Sequence, residues 1–187
     1  GSMPMSLMTM KSLNDAADYI GQVSVMQQQK SGGGPDFEAS IIFGGQILGG
    51  PADVMLIYAQ GNHISTSQTT PFLQIGESKY GKPILDRIIS PDTALHTAVL
   101  CGLVSMDSTM RSNVTVGPPI DVLAYTADSF VLKNRLVLSE DSDYLRELKR
   151  SWDQRLKDAF RSLPHPAWAS AWDQPVDSQT QADVAPN

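Results

Sequence analysis

An apolar stripe near the start of the chain predicts a helix. Its residues recur at steps of three and four, the spacing of one helix face: Leu13, Ala16, Ala17, Ile20 and Val23. Ser12, followed three residues later by Asp15, predicts the cap of this helix. The glycine-rich run 31–35 predicts that the helix ends at about Gln29.

The apolar residues then change to a period of two, which predicts strands. The alternating positions of the first strand are Phe37, Ala39, Ile41 and Phe43. A Gly-Gly-Pro turn at 49–51 separates it from a second strand over 54–58, and a third strand is predicted over 71–75. Because the three segments follow one another closely, we predict a consecutive antiparallel meander.

Two helices are predicted next. A short one covers 82–89, and a longer one begins at Ser90-Pro91-Asp92 and continues towards Met106. A hydroxyl cap, a proline at the first helical position and an acid near the positive end of the dipole together favour this start.

A second hairpin and a last helix complete the pattern. The segments 120–125 and 135–138 predict the hairpin. The last helix is predicted from about Ser142, with an apolar stripe as far as Leu163 and a salt bridge between Asp153 and Lys157 on its polar side.

The order of elements defines the predicted fold class and domains. Strands and helices occur in separate groups, which is typical of α+β proteins. We predict a tag and disordered start over 1–7, a single domain over 8–163 and a flexible tail over 164–187, where apolar periodicity is lost.

Composition narrows the range of partners. The length of 187 residues, with 41% hydrophobic and 18% charged residues, suits one folded domain of roughly 100–200 residues. The net charge of −6 argues against a nucleic-acid partner, and no apolar run is long enough to cross a membrane. Cys101 is the single cysteine, so no intrachain disulfide or multi-cysteine metal site is expected, and a reducing cytoplasm is the simplest location. We predict no cofactor and no metal.

Two short segments carry candidate chemistry. The run from Gly76 to Lys82 has the spacing of a phosphate-binding loop, but Pro83 stands where magnesium binding needs a hydroxyl, which favours a structural turn over a nucleotide site. The polar run 107–113 either caps the preceding helix or orients a proton-transfer site, and both interpretations stay open. His96 and Cys101 lie five apart, a poor spacing for a nucleophile pair on one helix face.

Four runs of the sequence resemble one protein family. They cover residues 37–47, 71–87, 107–113 and 116–121, and they occur in the same order as in the Anbu (ancestral beta subunit) family of bacterial proteasome-type peptidases. The resemblance covers about residues 8–163. It implies the four-layer αββα sandwich of N-terminal-nucleophile hydrolases, truncated at its N-terminus because the family's first strands and first helix have no counterpart.

The resemblance also implies an activity and its site. In this family the hydroxyl of an N-terminal threonine attacks a peptide carbonyl and its free α-amine acts as base. The chain opens with Gly1-Ser2, so we expect a threonine peptidase family member that is inactive as given. By resemblance, Ser78, Asp107 and Ser112 form the supporting shell, and Ser108 competes with Ser112.

The sequence leaves three functions open. The first is the proteasome-like peptidase, with peptides or unfolded proteins as substrate and self-association into a homo-oligomeric ring or spiral. The second is a non-catalytic, self-assembling scaffold or peptide-binding subunit, and the third is a nucleotide-binding module that uses residues 76–82. Unpaired sheet edges and uncovered apolar faces favour self-association in the first two.

Overall fold

The computed structural model of the chain describes residues 6–169 and residue 172. Its described part follows the predicted order of one helix, three strands, two helices, two strands and a last helix. Their bounds are α1 Leu13–Lys30, β1 Ile41–Gln46, β2 Ala52–Ile57, β3 His63–Ser65, α2 Lys82–Ile88, α3 Leu95–Ser112, β4 Ile120–Leu123, β5 Arg135–Leu138 and α4 Asp143–Arg161. The chain divides into two compact units, Gly1–Lys149 and Arg150–Asn187.

Helix α1 covers one face of the first sheet. The Ser12 hydroxyl accepts a hydrogen bond from the Asp15 N–H at 3.0 Å, so the predicted cap is confirmed. The buried centre of the contact comprises Ala17, Met55 and Ile57. At Gly21 a β-carbon would lie 2.1 Å from the Gly61 carbonyl oxygen, so the helix approaches the β2–β3 turn by its backbone.

The first sheet is the predicted antiparallel meander, but two of its strands lie elsewhere. Its strand order is β1-β2-β3. The first strand begins at Ile41 rather than Phe37, because residues 35–37 form a turn of 3-10 helix. The third strand is His63–Ser65, so the strand predicted over 71–75 is wrong.

The early third strand has a local cause. Gly61 has a φ of +89°, which favours glycine, and the Tyr58 N–H donates to the Asn62 carbonyl at 2.8 Å. The chain therefore reverses at once and pairs Ile57 with His63.

Helix α3 starts later and ends later than predicted. Its start at Ser90 is wrong, because Ser90 and Thr93 form a turn in which the Ser90 N–H donates to the Thr93 hydroxyl at 2.8 Å. The helix begins at Leu95 and continues to Ser112. The polar run that follows Met106 therefore belongs to the last turns of a helix rather than to a loop.

A second apolar core lies between α3, the β4–β5 hairpin and the first turn of α4. It comprises Leu103, Ile120, Leu138 and Leu145. The hairpin is antiparallel, as predicted, and pairs Ile120 with Leu138. Its first strand ends at Leu123, two residues before the predicted end.

The second unit contains the remaining turns of α4. The Lys157 ammonium lies 2.7 Å from an Asp153 oxygen, which confirms the predicted salt bridge. The rings of Trp168 and Trp172 have centroids 4.3 Å apart. Most of the predicted flexible tail lies outside the described residues, and the predicted domain limits stay a prediction. None of the helices in the described ranges is long and apolar enough to cross a membrane.

Candidate functional site

Ser78 lies in a loop that packs along α3. At one end of the loop, a β-carbon on Gly81 would lie 2.1 Å from the Ser105 hydroxyl and 3.2 Å from the Thr109 hydroxyl. At the other end, Glu77 accepts a hydrogen bond from the Asn113 side-chain amide at 3.3 Å. Ser78, which is half-buried, sits between these two attachments and is held beside the C-terminal half of the helix.

Hydroxyl groups occupy the face of α3 that meets this loop. At about 100° per residue, Ser105, Thr109 and Ser112 fall within roughly 60° of one another around the helix axis. Ser112 is exposed and is the last residue of the helix. Ser108, the competing candidate, is half-buried and lies roughly 60° from Ser105. The loop that contains Ser78 therefore packs against the side of α3 that carries Ser112.

Asp107 lies on a different side of the same helix. It is separated from Ser112 by about 140° of rotation, and it is only 2% exposed. Its carboxylate accepts a hydrogen bond from the Arg111 guanidinium at 3.0 Å, four residues along the helix. A carboxylate that is this deeply buried needs such a partner, since an unpaired buried charge is strongly destabilising.

The three candidate residues do not form a catalytic triad by themselves. In the part of the chain that the structure describes, no hydrogen bond connects Ser78, Asp107 and Ser112 to one another. A nucleophile and its base normally lie about 2.6–3.2 Å apart. Hydroxyls and one buried carboxylate therefore lie near the C-terminal end of α3, on different sides of the helix, and their roles stay predictions.

A cleft of about 320 Å³ adjoins Ser78. It is lined by residues 69–74, Ser78, Lys82, Asp86 and Ile89. The Lys82 ammonium lies 2.6 and 2.7 Å from the two Asp86 oxygens and 5.6 Å from the centre of the Phe72 ring. Lys82 is the residue that would bind phosphate in a nucleotide loop, and here it is paired with a carboxylate, which favours the structural turn.

His63 and Cys101 have structural surroundings. His63 bridges β3 and α1, with its ring nitrogens 3.3 Å from an Asp18 oxygen and 3.3 Å from the Asn14 amide oxygen. Cys101 is buried, and burial raises the pKa of its thiol. Within residues 6–169 and 172, no group of three His, Cys, Asp or Glu side chains is arranged to hold a metal ion.

Two features of the structure could not be predicted from patterns in the sequence. The Glu77–Asn113 contact joins residues 36 positions apart. A groove of about 850 Å³ lies between the first sheet and segment 123–132. At its edge the Gln46 amide makes four hydrogen bonds. Its nitrogen donates to the Asp128 carboxylate and the Gly50 carbonyl, and its oxygen accepts from the Asp128 N–H and the Tyr125 hydroxyl.

Solved structures similar to this chain decide the family. Anbu (ancestral beta-subunit) from Yersinia bercovieri is 42% identical, with a TM-score of 0.83, over 87% of this chain and 68% of that one. The Anbu complex from Pseudomonas aeruginosa, solved as a helical assembly, is 41% identical, with a TM-score of 0.84, over 92% of this chain and 72% of that one. The chain belongs to the Anbu family. No protein-family model matches it, and no curated protein does.

A third Anbu structure agrees with these two. The Anbu (Gly-1) mutant from Hyphomicrobium sp. strain MC1 is 39% identical, with a TM-score of 0.83, over 87% of this chain and 69% of that one. The family resemblance predicted from the four sequence runs is confirmed. This chain also has the predicted fold class, an α+β fold of the N-terminal-nucleophile hydrolase type.

Proposed function

We propose that this chain forms the supporting part of a proteasome-like peptidase site. The observation that carries the proposal is the packing of the Ser78 loop along the hydroxyl-bearing face of α3, in a chain that belongs to the Anbu family. Ser78 and Ser112 would offer hydroxyls to a nucleophile's amine, and Asp107, which is buried on another side of α3 and paired with Arg111, would support the end of the helix that carries Ser112. A peptide bond is the proposed substrate.

The same chemistry predicts that the 187-residue polypeptide has no turnover of its own. Threonine-type hydrolysis needs a hydroxyl and a free α-amine on one residue, so that the amine can accept the proton as the hydroxyl attacks. Every threonine of this polypeptide lies inside it, so the nitrogen of each is part of a peptide bond and is not a free amine. Thr9 is the first threonine, and its hydroxyl donates to the Ser6 carbonyl at 2.9 Å.

A peptidase assay tests this proposal. The purified polypeptide and its Ser2→Ala variant are incubated with short fluorogenic peptides, with a threonine-type proteasome as positive control. We expect no turnover above buffer from either. Cleavage that copurifies with the polypeptide, survives Ser2→Ala and stops with a threonine-directed inhibitor would refute the proposal, because it would demonstrate a complete site.

Self-assembly is the second proposed property. The Pseudomonas aeruginosa relative was solved as a helical assembly, and in the described sheet β1 pairs only with β2, which leaves its other edge open to a further strand. We propose that copies of this chain form homo-oligomers, as a peptidase subunit or as a non-catalytic, peptide-binding scaffold. Light scattering at micromolar concentration should give a mass well above 20.3 kDa, and a sharp monomer would contradict this. The single cysteine makes a reducing cytoplasm the proposed location.

A further inference from the structure

The Glu77 carboxylate uses both of its oxygens to hold the Ser78 loop. Oε1 accepts a hydrogen bond from the Lys79 N–H at 3.2 Å, which closes a tight turn around Ser78. Oε2 accepts from the Asn113 amide nitrogen at 3.3 Å. One side chain therefore connects the local turn that contains Ser78 to Asn113, the residue that caps the C-terminal end of α3.

The geometry of Asn113 fixes the direction of this contact. The Asn113 amide oxygen accepts from the Thr115 N–H at 2.9 Å and from the Thr115 hydroxyl at 2.7 Å. The amide oxygen is thereby occupied, so the nitrogen is the group that faces Glu77. A neutral donor meets a charged acceptor, and such hydrogen bonds are stronger than those between neutral groups.

The hydrogen bond between Glu77 and Asn113 links the loop to the end of α3. Among the hydrogen bonds of the described residues, it is the one that joins a side chain of loop 76–81 to α3 or its cap. The other attachment, at Gly81, is a packing contact against Ser105 and Thr109. The Ser78 carbonyl also accepts a hydrogen bond from the Lys82 N–H at 3.2 Å, which ties the loop to α2. Among the described side chains of the loop, Glu77 is the one that ties its Ser78 end to the end of α3.

We propose that Glu77 is a positioning residue that holds Ser78 against the C-terminal end of α3 by means of Asn113. The role of Ser78 rests on the proposed function. The contacts of Glu77 with Lys79 and Asn113, here called the clamp, do not depend on it. Without the clamp, the turn around Ser78 would open although α3 and the apolar cores remained folded. The proposal therefore separates the order of the Ser78 loop from the stability of the fold.

A reciprocal exchange of donor and acceptor tests the clamp. Glu77→Gln places an amide nitrogen against the Asn113 amide nitrogen, and Asn113→Asp places a carboxylate against the Glu77 carboxylate. In the double variant E77Q/N113D, the new amide at position 77 can accept from the Lys79 N–H through its oxygen and donate to the new carboxylate through its nitrogen. The second oxygen of that carboxylate accepts from Thr115.

Amide hydrogen exchange at Lys79 is the measurement. We expect each single variant to exchange about tenfold faster than wild type, the equivalent of one lost hydrogen bond. The double variant should return close to the wild-type rate. The Leu103 amide, inside α3, serves as internal reference for global unfolding, and Glu140→Gln on the surface serves as the matched charge control.

The pH dependence of Asn113→Asp adds a second test. Its excess exchange at Lys79, relative to wild type at the same pH, should decrease as the pH is lowered through about 4, because a protonated carboxyl can donate to its neighbour. Unchanged exchange in the single variants, or a double variant as fast as they are, would overturn the proposal. Peptide turnover by the wild type would refute the proposed function and leave this result unaffected.

Discussion

Replacing Gly81 by alanine should break the packing that brings the Ser78 loop to α3. The backbone of Gly81 has φ −87° and ψ −31°, which any residue can adopt, so the substitution introduces no backbone strain. The new methyl group, however, would lie 2.1 Å from the Ser105 hydroxyl oxygen, where ordinary contacts begin at 3.4 Å. Either the loop moves by about 1 Å or more, or Ser105 changes rotamer within a buried contact.

The size of the effect follows from the cost of overpacking. Inserting a methyl group into a close-packed contact typically costs about 1–3 kcal/mol. For a chain of this length, that loss lowers the melting temperature by roughly 2–12 °C. Ser105→Ala removes the oxygen at 2.1 Å and leaves two atoms at 3.2 Å, so in that background Gly81→Ala should cost less than about 1 kcal/mol.

Denaturant titration of four variants measures this coupling, and Gly102 provides the matched control. Gly102 lies inside α3, and a β-carbon added there would have no heavy atom within 4 Å outside its own helix backbone and chain neighbours. Gly102→Ala should therefore stabilise the protein by up to about 1 kcal/mol, through helix propensity alone. The reasoning is refuted if Gly81→Ala is as stable as wild type, or if its cost is unchanged in the Ser105→Ala background.

Three further predictions follow from the described contacts. Gly21→Ala should cost about 1–3 kcal/mol or more in denaturant titrations, because its methyl group would meet the rigid Gly61 carbonyl oxygen at 2.1 Å; wild-type stability would show that α1 does not approach this turn. Gln46→Leu should destabilise by about 1–3 kcal/mol and speed amide exchange at Asp128, whose N–H donates to Gln46 at 2.7 Å; unchanged exchange would count against the network. Burial raises the pKa of the Cys101 thiol, so above about pH 8.5 the unfolded thiol ionises while the folded one keeps its proton, and the free energy of unfolding should fall. Denaturant titrations at about pH 7 and about pH 9.5 should show a larger decrease in this free energy for wild type than for Cys101→Ala.

Elements with local causes were predictable from the sequence. The Ser12 cap of α1, the β4–β5 hairpin and the Asp153–Lys157 pair all depend on residues near one another in the chain. The third strand was not predictable from apolar pattern alone, because the turn at Gly61 brings a short segment to β2 before the more apolar run is reached. The predicted start of α3 was wrong for a related reason, since the Thr93 hydroxyl holds Ser90 in a turn.

The candidate site was predictable in part. The family resemblance selected Ser78, Asp107 and Ser112, but their relative directions depend on α3 remaining helical as far as Ser112. The Glu77–Asn113 clamp joins distant residues through two ordinary polar side chains, and no spacing rule indicates such a pair. The Asp107–Arg111 ion pair, in contrast, has the four-residue spacing that a search for helical salt bridges would find.

The central proposal is that this Anbu-family polypeptide supplies supporting groups of a peptidase site and that none of its residues acts as the nucleophile. Intact-mass spectrometry after incubation with a peptide epoxyketone tests this most directly, because that electrophile captures an N-terminal nucleophile through its hydroxyl and amine. The account predicts an unchanged mass for the folded polypeptide. A stoichiometric adduct, mapped by fragmentation to a single residue and lost on denaturation before treatment, would contradict it.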